Sequence, residues 1–431
     1  MYIKRIQVSN IRAVGNFDLK FGSDELSGWH VILGENGSGK STLIRSIALA
    51  LAGPREAVAL RQEWNLWLRL KKTSNKIQIS YQASTEDLFP QGRRVTKPME
   101  VALEIKSSDS ELSQKTTAQV IVNSGVKNAD RSIWGTTAGW FSASFGPFRR
   151  FSGGDQAFDR LFYSNPRLAP HLSAFGEDVA LTEGLRWLRE LWVKGLESSE
   201  KSSPFLEKMI EFLNGSGLLP NDARITEIRS DQVILRDSAG VLVQVEQMSD
   251  GYRSVLSMIF EILRQMTKSY GADEVMKSLG NSGNKSVGLS GVVCIDEVDA
   301  HLHPTWQKEI GPWFTKCFPK VQFIVTTHSP IICRNATSVW KLSSNDDGEQ
   351  ISSRVEGIVL NRLIYGSILD AYGTEMFGRD VAISDDSKEL LNELARLNRR
   401  ALKSNLTEED CARMNELREI LPTRSSDIES V

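Results

Sequence analysis

The segment Gly34-Glu35-Asn36-Gly37-Ser38-Gly39-Lys40-Ser41 has the spacing G-x-x-x-x-G-K-S. Such a loop constrains a fold strongly, because it works only between a buried strand and the start of a helix. Successive backbone N–H groups then converge on a phosphate, and the positive end of the helix faces the same point. The flanks agree. Trp29-His30-Val31-Ile32-Leu33 is a short apolar run that reads as a buried strand. Leu43, Ile44, Ile47, Ala48 and Leu51 recur at three- and four-residue intervals, which makes one helical face, and Gly53-Pro54 ends it. Lys40 is placed to reach β- and γ-phosphates, and the Ser41 hydroxyl to hold Mg²⁺. With Gly34, Asn36, Gly37, Ser38, Gly39 and Thr42 they form the candidate nucleotide-binding set.

Two later strands end in polar groups. Val292-Val293-Cys294-Ile295 runs into Asp296-Glu297, as a buried parallel strand does when it delivers carboxylates to a site. Asp296 is then a candidate Mg²⁺ ligand acting through water. Glu297 is the candidate catalytic base that polarises the attacking water. A strand that simply ends in surface acids is the alternative. About thirty residues on, a crossover's length of chain, the apolar run 321–325 leads into Thr326-Thr327-His328-Ser329-Pro330. Ahead of both lies Met248-Ser249-Asp250-Gly251-Tyr252-Arg253, followed by an amphipathic helix carrying Val255, Ile259, Ile262 and Met266. Ser249 or Asp250 can serve there simply as a helix cap.

Elsewhere, residues 2–9 and 16–21, then 76–82, 99–106 and 118–123, alternate like strands. A helical region covers about 155–213, with a polar break from Glu197 to Ser203, and a hairpin-like stretch follows over 225–245.

Phosphate loop, Ser-x-Gly helix start, acidic strand and post-strand histidine, in this order and spacing, resemble the ATPase head of the ABC superfamily, and within it the SMC/RecF/OLD-like branch. The motifs span residues 1 to about 345, roughly four-fifths of the chain. The resemblance implies an α/β fold, a P-loop head with a mixed central sheet, an antiparallel β subdomain and a helical insertion. The expected divisions are an N-terminal lobe at 1–150, a helical insertion and hairpin at 151–245, a C-terminal lobe at 246–345 and a helical extension at 346–431. ATP and Mg²⁺ are the implied ligands. Arg12 matches the N-terminal arginine that contacts nucleotide, and His328 the catalytic switch histidine that senses the γ-phosphate. Asp299 matches the dimer-facing loop. Ser249 and Gly251 match the signature that closes on the nucleotide of a second copy, so the chain itself is an expected partner in a head-to-head dimer, with a higher oligomer left open. Met248 stands where the branch carries Leu. Gln91 is one candidate for the glutamine loop and otherwise a turn residue.

The surroundings narrow the role. A formal net charge of −2 gives no argument for nucleic acid from bulk basicity. The four cysteines are widely spaced, so neither a disulfide framework nor a zinc cluster is indicated. No run of about 18 apolar residues exists, so no membrane partner and a cytoplasmic location are expected. His301-Leu302-His303-Pro304 reads as two histidines on one face of a strand, but no third ligand has matching spacing. The segment also resembles the stretch after the acidic pair in OLD-like ATPases. OLD-type proteins carry a nuclease after the head. About a hundred residues follow His328, too few for that domain, and Asp370, Glu375, Asp380, Asp385 and Asp386 lack strand context. The region 155–245 is too short for the arms of structural-maintenance ATPases.

Trp140-Phe141-Ser142-Ala143-Ser144-Phe145-Gly146-Pro147-Phe148-Arg149-Arg150 resembles the Gly-Pro-x-Arg segment of the PtuA ATPases of Septu anti-phage systems, relatives of which accompany retrons. Capping of a sheet edge by Arg149-Arg150 is the other reading. The resemblance implies a regulatory or sensor ATPase of prokaryotic anti-phage defence, acting with a separate PtuB-like HNH nuclease subunit. DNA or a reverse-transcribed DNA/RNA stays open as a ligand, and a RecF-like DNA-repair ATPase is the alternative role. At the C-terminus, Leu390, Leu394, Leu397 and Ala401 mark an apolar face, and Thr407-Glu408-Glu409-Asp410 is a capping box for a last helix that stops at Pro422. That pair of helices either packs on the head or docks a partner.

Overall fold

The computed structural model describes residues 1–60, 62–69, 75–87, 98–108, 117–124, 129–130, 132–135, 139–151, 156–176, 181–197, 204–217, 219, 223–229, 232–279, 286–345, 348–366, 385–402 and 407–421. Gln91, Asp370, Glu375, Asp380 and Pro422 lie outside them. The strands are β1 (Tyr2–Ile11), β2 (Val14–Lys20), β3 (Gly28–Gly34), β4 (Lys76–Gln82), β5 (Met99–Ser108), β6 (Thr117–Ser124) and β7 (Ser142–Phe145). They continue as β8 (Arg224–Ile228), β9 (Val233–Arg236), β10 (Leu242–Gln244), β11 (Gly291–Ile295), β12 (Val321–Thr327), β13 (Ser338–Ser344) and β14 (Gln350–Arg354).

Among the described residues, eleven strands form one mixed sheet in the order β6-β5-β4-β1-β2-β14-β13-β3-β12-β11-β7. Its two halves obey different rules. From β13 through β3, β12 and β11 to β7 every pairing is parallel. Every residue of β7, β11 and β12 is buried, which is why their sequences are apolar runs without alternation. From β2 through β1, β4 and β5 to β6 every pairing is antiparallel. In β1 the buried residues are Ile3, Ile6, Val8 and Ile11, with partly exposed ones between. The three-residue step from Ile3 to Ile6 follows from a register shift between Ile3 and Arg5, which turns the strand by one residue. β14 joins the halves, antiparallel to β13 and parallel to β2.

The helix Lys40–Ala52 follows β3 and is buried at nearly every position. Beyond it, the helices Gln156–Ser164, Thr182–Glu197 and Pro204–Gly215 precede a three-stranded antiparallel sheet, β10-β9-β8. The expected hairpin is therefore a three-strand meander, with Gly240 at φ 83 in the tight turn between β9 and β10. The long helix Asp250–Tyr270 leads back to β11. Contacts divide the chain into two compact units, Met1–Tyr365 and Gly366–Val431. In the second, the helices Asp385–Ala401 and Glu408–Ile420 pack on one another through Leu394, Leu397 and Leu417. The Thr407 hydroxyl accepts from the Asp410 N–H at 3.1 Å, and the Asp410 carboxylate accepts from the Thr407 N–H at 3.1 Å, a complete capping box.

Candidate nucleotide-binding site

Parallel pairing in register brings four strand ends together. Leu33 pairs with Thr327, Val325 with Ile295, and Ile295 with Phe145. The chain therefore leaves β3, β12, β11 and β7 side by side at their carboxyl ends, the edge where open α/β sheets bind ligands.

After β3 the loop turns through Gly37 at φ 78 and Gly39 at φ 92, a region that L side chains avoid. A Cβ on Gly39 would also stand 2.9 Å from Val14 Cγ2. The helix Lys40–Ala52 then begins with no side-chain cap. Lys40 Nζ donates to the carbonyls of Gly34 and Glu35, each at 2.8 Å. Burial lowers the Lys40 pKa, while Asp296, Glu297, Asp299 and Glu35 pull it back up. The Ser38 hydroxyl is buried with no hydrogen-bond partner. An uncapped helix start, a buried lysine whose ammonium is satisfied only by neutral carbonyls and an orphaned hydroxyl fit an anion such as a phosphate.

At the end of β11, Asp296 is only 2 % exposed, and its Oδ1 accepts from Thr326 Oγ1 at 2.5 Å. Glu297 sits at φ 46, a left-handed conformation that costs about 1–2 kcal/mol for an L residue. Three bonds hold it there. Its N–H donates to Thr326 Oγ1 at 2.9 Å, and its carbonyl accepts from Arg149 Nη2 at 3.0 Å and from the Ala300 N–H at 2.9 Å. Thr327 Oγ1 donates to Asp299 Oδ1 at 2.5 Å. The two threonine hydroxyls of β12 thus fix two of the acids that follow β11, Asp296 and Asp299. His328 follows them, half-buried. Burial first, and then the nearby Lys40 charge, lower its pKa against the pull of Asp299, Glu297 and Asp296. Its imidazole is therefore neutral near pH 7.

Arg12 stands at φ 52 in the turn between β1 and β2. Its guanidinium lies 4.8 Å over the Trp67 ring, and burial and the neighbouring Arg45 lower its pKa. Ser249 is exposed at the start of the helix Asp250–Tyr270, and its hydroxyl makes no cap bond. Gly251 packs so tightly that a Cβ would lie 2.7 Å from the His301 carbonyl.

His301 and His303 do not lie on a strand, contrary to the sequence reading. His301 occupies a turn at φ 65, and His303 caps the helix Pro304–Cys317, its Nδ1 accepting from the Thr305 N–H at 3.4 Å. Pro304 in the first helical position ends the extended run. Among the described residues no group of three or more His, Cys, Asp or Glu side chains is gathered as a metal site. Gln307, not singled out from the sequence, ties two of these loops together. Its Nε2 donates to the Leu302 carbonyl at 2.9 Å, and its Oε1 accepts from Ser329 Oγ at 2.7 Å.

Arg149 lies just past β7 and is 4 % exposed. It donates to the carbonyls of Gly146, Asp296 and Glu297 at 2.9, 2.7 and 3.0 Å, and to Ser254 Oγ at 2.8 Å. It braces the carboxyl end of β11 from inside.

Two family models match the chain. "AAA domain" covers residues 5–137, and "AAA domain, putative AbiEii toxin, Type IV TA system" covers residues 151–334. Such domains imply nucleotide binding. The Retron Ec83 probable ATPase of Escherichia coli is 31 % identical over 40 % of this chain and 32 % of its own length. The Septu protein PtuA of Bacillus mycoides (strain KBAB4) is 24 % identical over 88 % of this chain and 47 % of its own length. The chain is homologous to these proteins, and it spans less than half the length of either. Among solved structures, an Smc head bound to the C-winged helix domain of ScpA aligns over 83 % of this chain and 98 % of its own, with a TM-score of 0.46 and 15 % identity. Among the described residues no helix is long and apolar enough to cross a membrane.

Proposed function

We propose that the chain binds and hydrolyses ATP and serves as the regulatory subunit of a prokaryotic anti-phage defence system. One observation carries the ATPase reading. The strand-loop-helix start, two acids and a neutral imidazole leave adjacent parallel strands at one edge, with the carboxylates of Asp296 and Asp299 braced by threonine hydroxyls. The homology to Septu and retron ATPases supports the defence role.

In this reading the loop N–H groups and Lys40 bind the phosphates, and Arg12 contacts the nucleotide. Ser41 and Asp296 hold Mg²⁺, which when bound neutralises charge on the phosphate oxygens. Glu297 orients and polarises the attacking water, and His328 donates a hydrogen bond to the γ-phosphate. Ser249 and Gly251 of a second copy bring another helix N-terminus to the same phosphate, so ATP joins two heads and hydrolysis separates them. The exposed Ser249 hydroxyl, free of any cap bond, suits contact with another copy. A separate HNH-type nuclease, of the PtuB kind, cuts nucleic acid under control of that cycle.

Phosphate release by the purified chain with Mg²⁺ and ATP, and by Lys40→Ala beside it, tests the chemistry. Release that depends on Lys40 is expected, and equal rates in both would refute the site. Incubation of the chain alone with DNA and Mg²⁺ should leave the DNA intact. Co-expression with the neighbouring gene, followed by mass measurement, tests the division of labour. A nuclease that co-purifies is expected, and cutting by the chain alone would overturn it.

A further inference from the structure

The guanidinium of Arg149 does an uncommon thing for a buried charge. Its four hydrogen bonds all go to neutral oxygens, three backbone carbonyls and one hydroxyl. Three of those acceptors, on Gly146, Asp296 and Glu297, belong to the ends of β7 and β11. The fourth is Ser254, one turn inside the helix whose first residues follow Ser249. One rigid planar fork therefore spans the signature helix and the strained peptide that carries the candidate base. Burial lowers the Arg149 pKa to about 10, and the nearby acids Asp296, Asp299 and Glu297 pull it back up.

Glu297 is held in part by this fork. Its φ of 46 is a conformation that persists only where surroundings over-determine it. Thr326 fixes its N–H, and Arg149 holds its carbonyl together with the Ala300 N–H. A shift of the Asp250–Tyr270 helix along its axis moves Ser254, and through the same guanidinium the peptide of Glu297. Gly251 lies so close to the His301 carbonyl that a Cβ would not fit at that helix start.

We infer that Arg149 is a positioning residue that links the signature helix to the base of the same subunit. The inference rests on the ATPase reading above and deepens it. In a closed dimer the signature of one copy contacts nucleotide held by the other. The Ser254–Arg149–Glu297 linkage then reports that contact to the first copy's own hydrolytic centre. Each site becomes competent when the opposite site is filled, and the two turn over in concert.

Steady-state hydrolysis across ATP concentration, for the parent chain, Ser254→Ala and Arg149→Lys, tests the linkage. Nucleotide affinity and melting temperature are measured alongside. Ser254→Ala leaves the three carbonyl contacts of Arg149 in place, so the fold is kept even if Arg149→Lys does not fold. The parent is expected to show a Hill coefficient above one. In Ser254→Ala that coefficient falls towards one and kcat drops about tenfold, with nucleotide affinity unchanged, because the second copy no longer reaches the base. Arg149→Lys keeps the charge but not the fork, and its kcat falls about 10²-fold. A Ser254→Ala protein with the parent's kcat and Hill coefficient overturns the linkage, as does a parent that turns over without cooperativity. A parent that releases no phosphate at all removes the ATPase reading itself, which is a different result.

Discussion

The two halves of the large sheet are built from the same strands-in-register logic but carry different loads. The parallel half, β13-β3-β12-β11-β7, is buried and ends every strand on the edge that holds Lys40, Asp296, Glu297, His328 and Arg149. The antiparallel half, β2-β1-β4-β5-β6, supplies a large share of the apolar core through Ile3, Ile6, Val8, Ile77, Ile79 and Val101. Its link to the site is the turn that bears Arg12, and Val14, which packs against the loop at Gly39. The difference teaches that chemistry here follows strand direction. Parallel neighbours point their ends the same way and can pool side chains, while antiparallel neighbours alternate and cannot.

That comparison is open to breakage, most sharply at the parallel edge. Lys40→Ala should lower nucleotide affinity by at least about 10²-fold and bring hydrolysis to background, with little change in melting temperature. Binding titrations and calorimetry check both. Glu297→Gln should keep the affinity and reduce kcat by about 10²–10⁴-fold, the usual range for a lost base. Normal turnover in that variant would remove Glu297 from its assigned role.

The antiparallel half should answer oppositely. Ile79 is fully buried in β4, and Ile79→Ala should destabilise the fold by about 2–5 kcal/mol. Nucleotide affinity measured well below the melting point should not move. A large loss of affinity there would show that the halves are not separable.

Acid sensitivity should also be lopsided. The five histidines all lie outside the antiparallel strands. His30 in β3 is buried, contacts Ser338 Oγ at 2.7 Å, and has its pKa lowered to about 4 by that burial. Above pH 6.5 neither folded nor unfolded His30 carries a proton, so it imposes no penalty. As pH falls from about 6.5 to about 4 only the unfolded chain takes up the proton, and stability drops by up to about 1.4 kcal/mol per unit. His30→Gln should flatten that slope by about one proton in denaturant titrations at several pH values. An unchanged slope would contradict the buried neutral imidazole.

The smallest effect belongs to the surface of the antiparallel half. Arg5 and Asp18 form a two-bond pair at 2.8 and 2.7 Å on strands β1 and β2, yet both are about a third exposed. Arg5→Ala should cost no more than about 1 kcal/mol, and less in high salt.

Much of the candidate site was legible in the sequence because its signals are local. The glycine spacing, the apolar runs and the acids that end one of them are contiguous in the chain, and they help carry the family resemblance that implies the α/β class with a mixed sheet. What stayed hidden depends on pairing across long separations. Thr326 and Thr327 read as a lead-in to His328, and only the register of β11 on β12 makes their hydroxyls the braces of Asp296 and Asp299. Arg149 was balanced between a sheet-edge cap and a family motif. Two of its three carbonyl acceptors, Asp296 and Glu297, are nearly 150 residues away, beyond any local pattern. β7, at four residues, is too short to carry a periodic signal. The two histidines at 301 and 303 misled for the opposite reason, since alternation over three residues cannot tell a strand from a turn that runs into a helix cap.

The central claim is that one chain supplies half of a nucleotide site and a second copy closes it. The mass of Glu297→Gln in solution, with and without ATP and Mg²⁺, tests this most directly. The account predicts a mass that doubles, or multiplies by whole heads, only with ATP, and that fails to do so when Ser249→Arg is added. A mass that stays constant while ATP is demonstrably bound would contradict it.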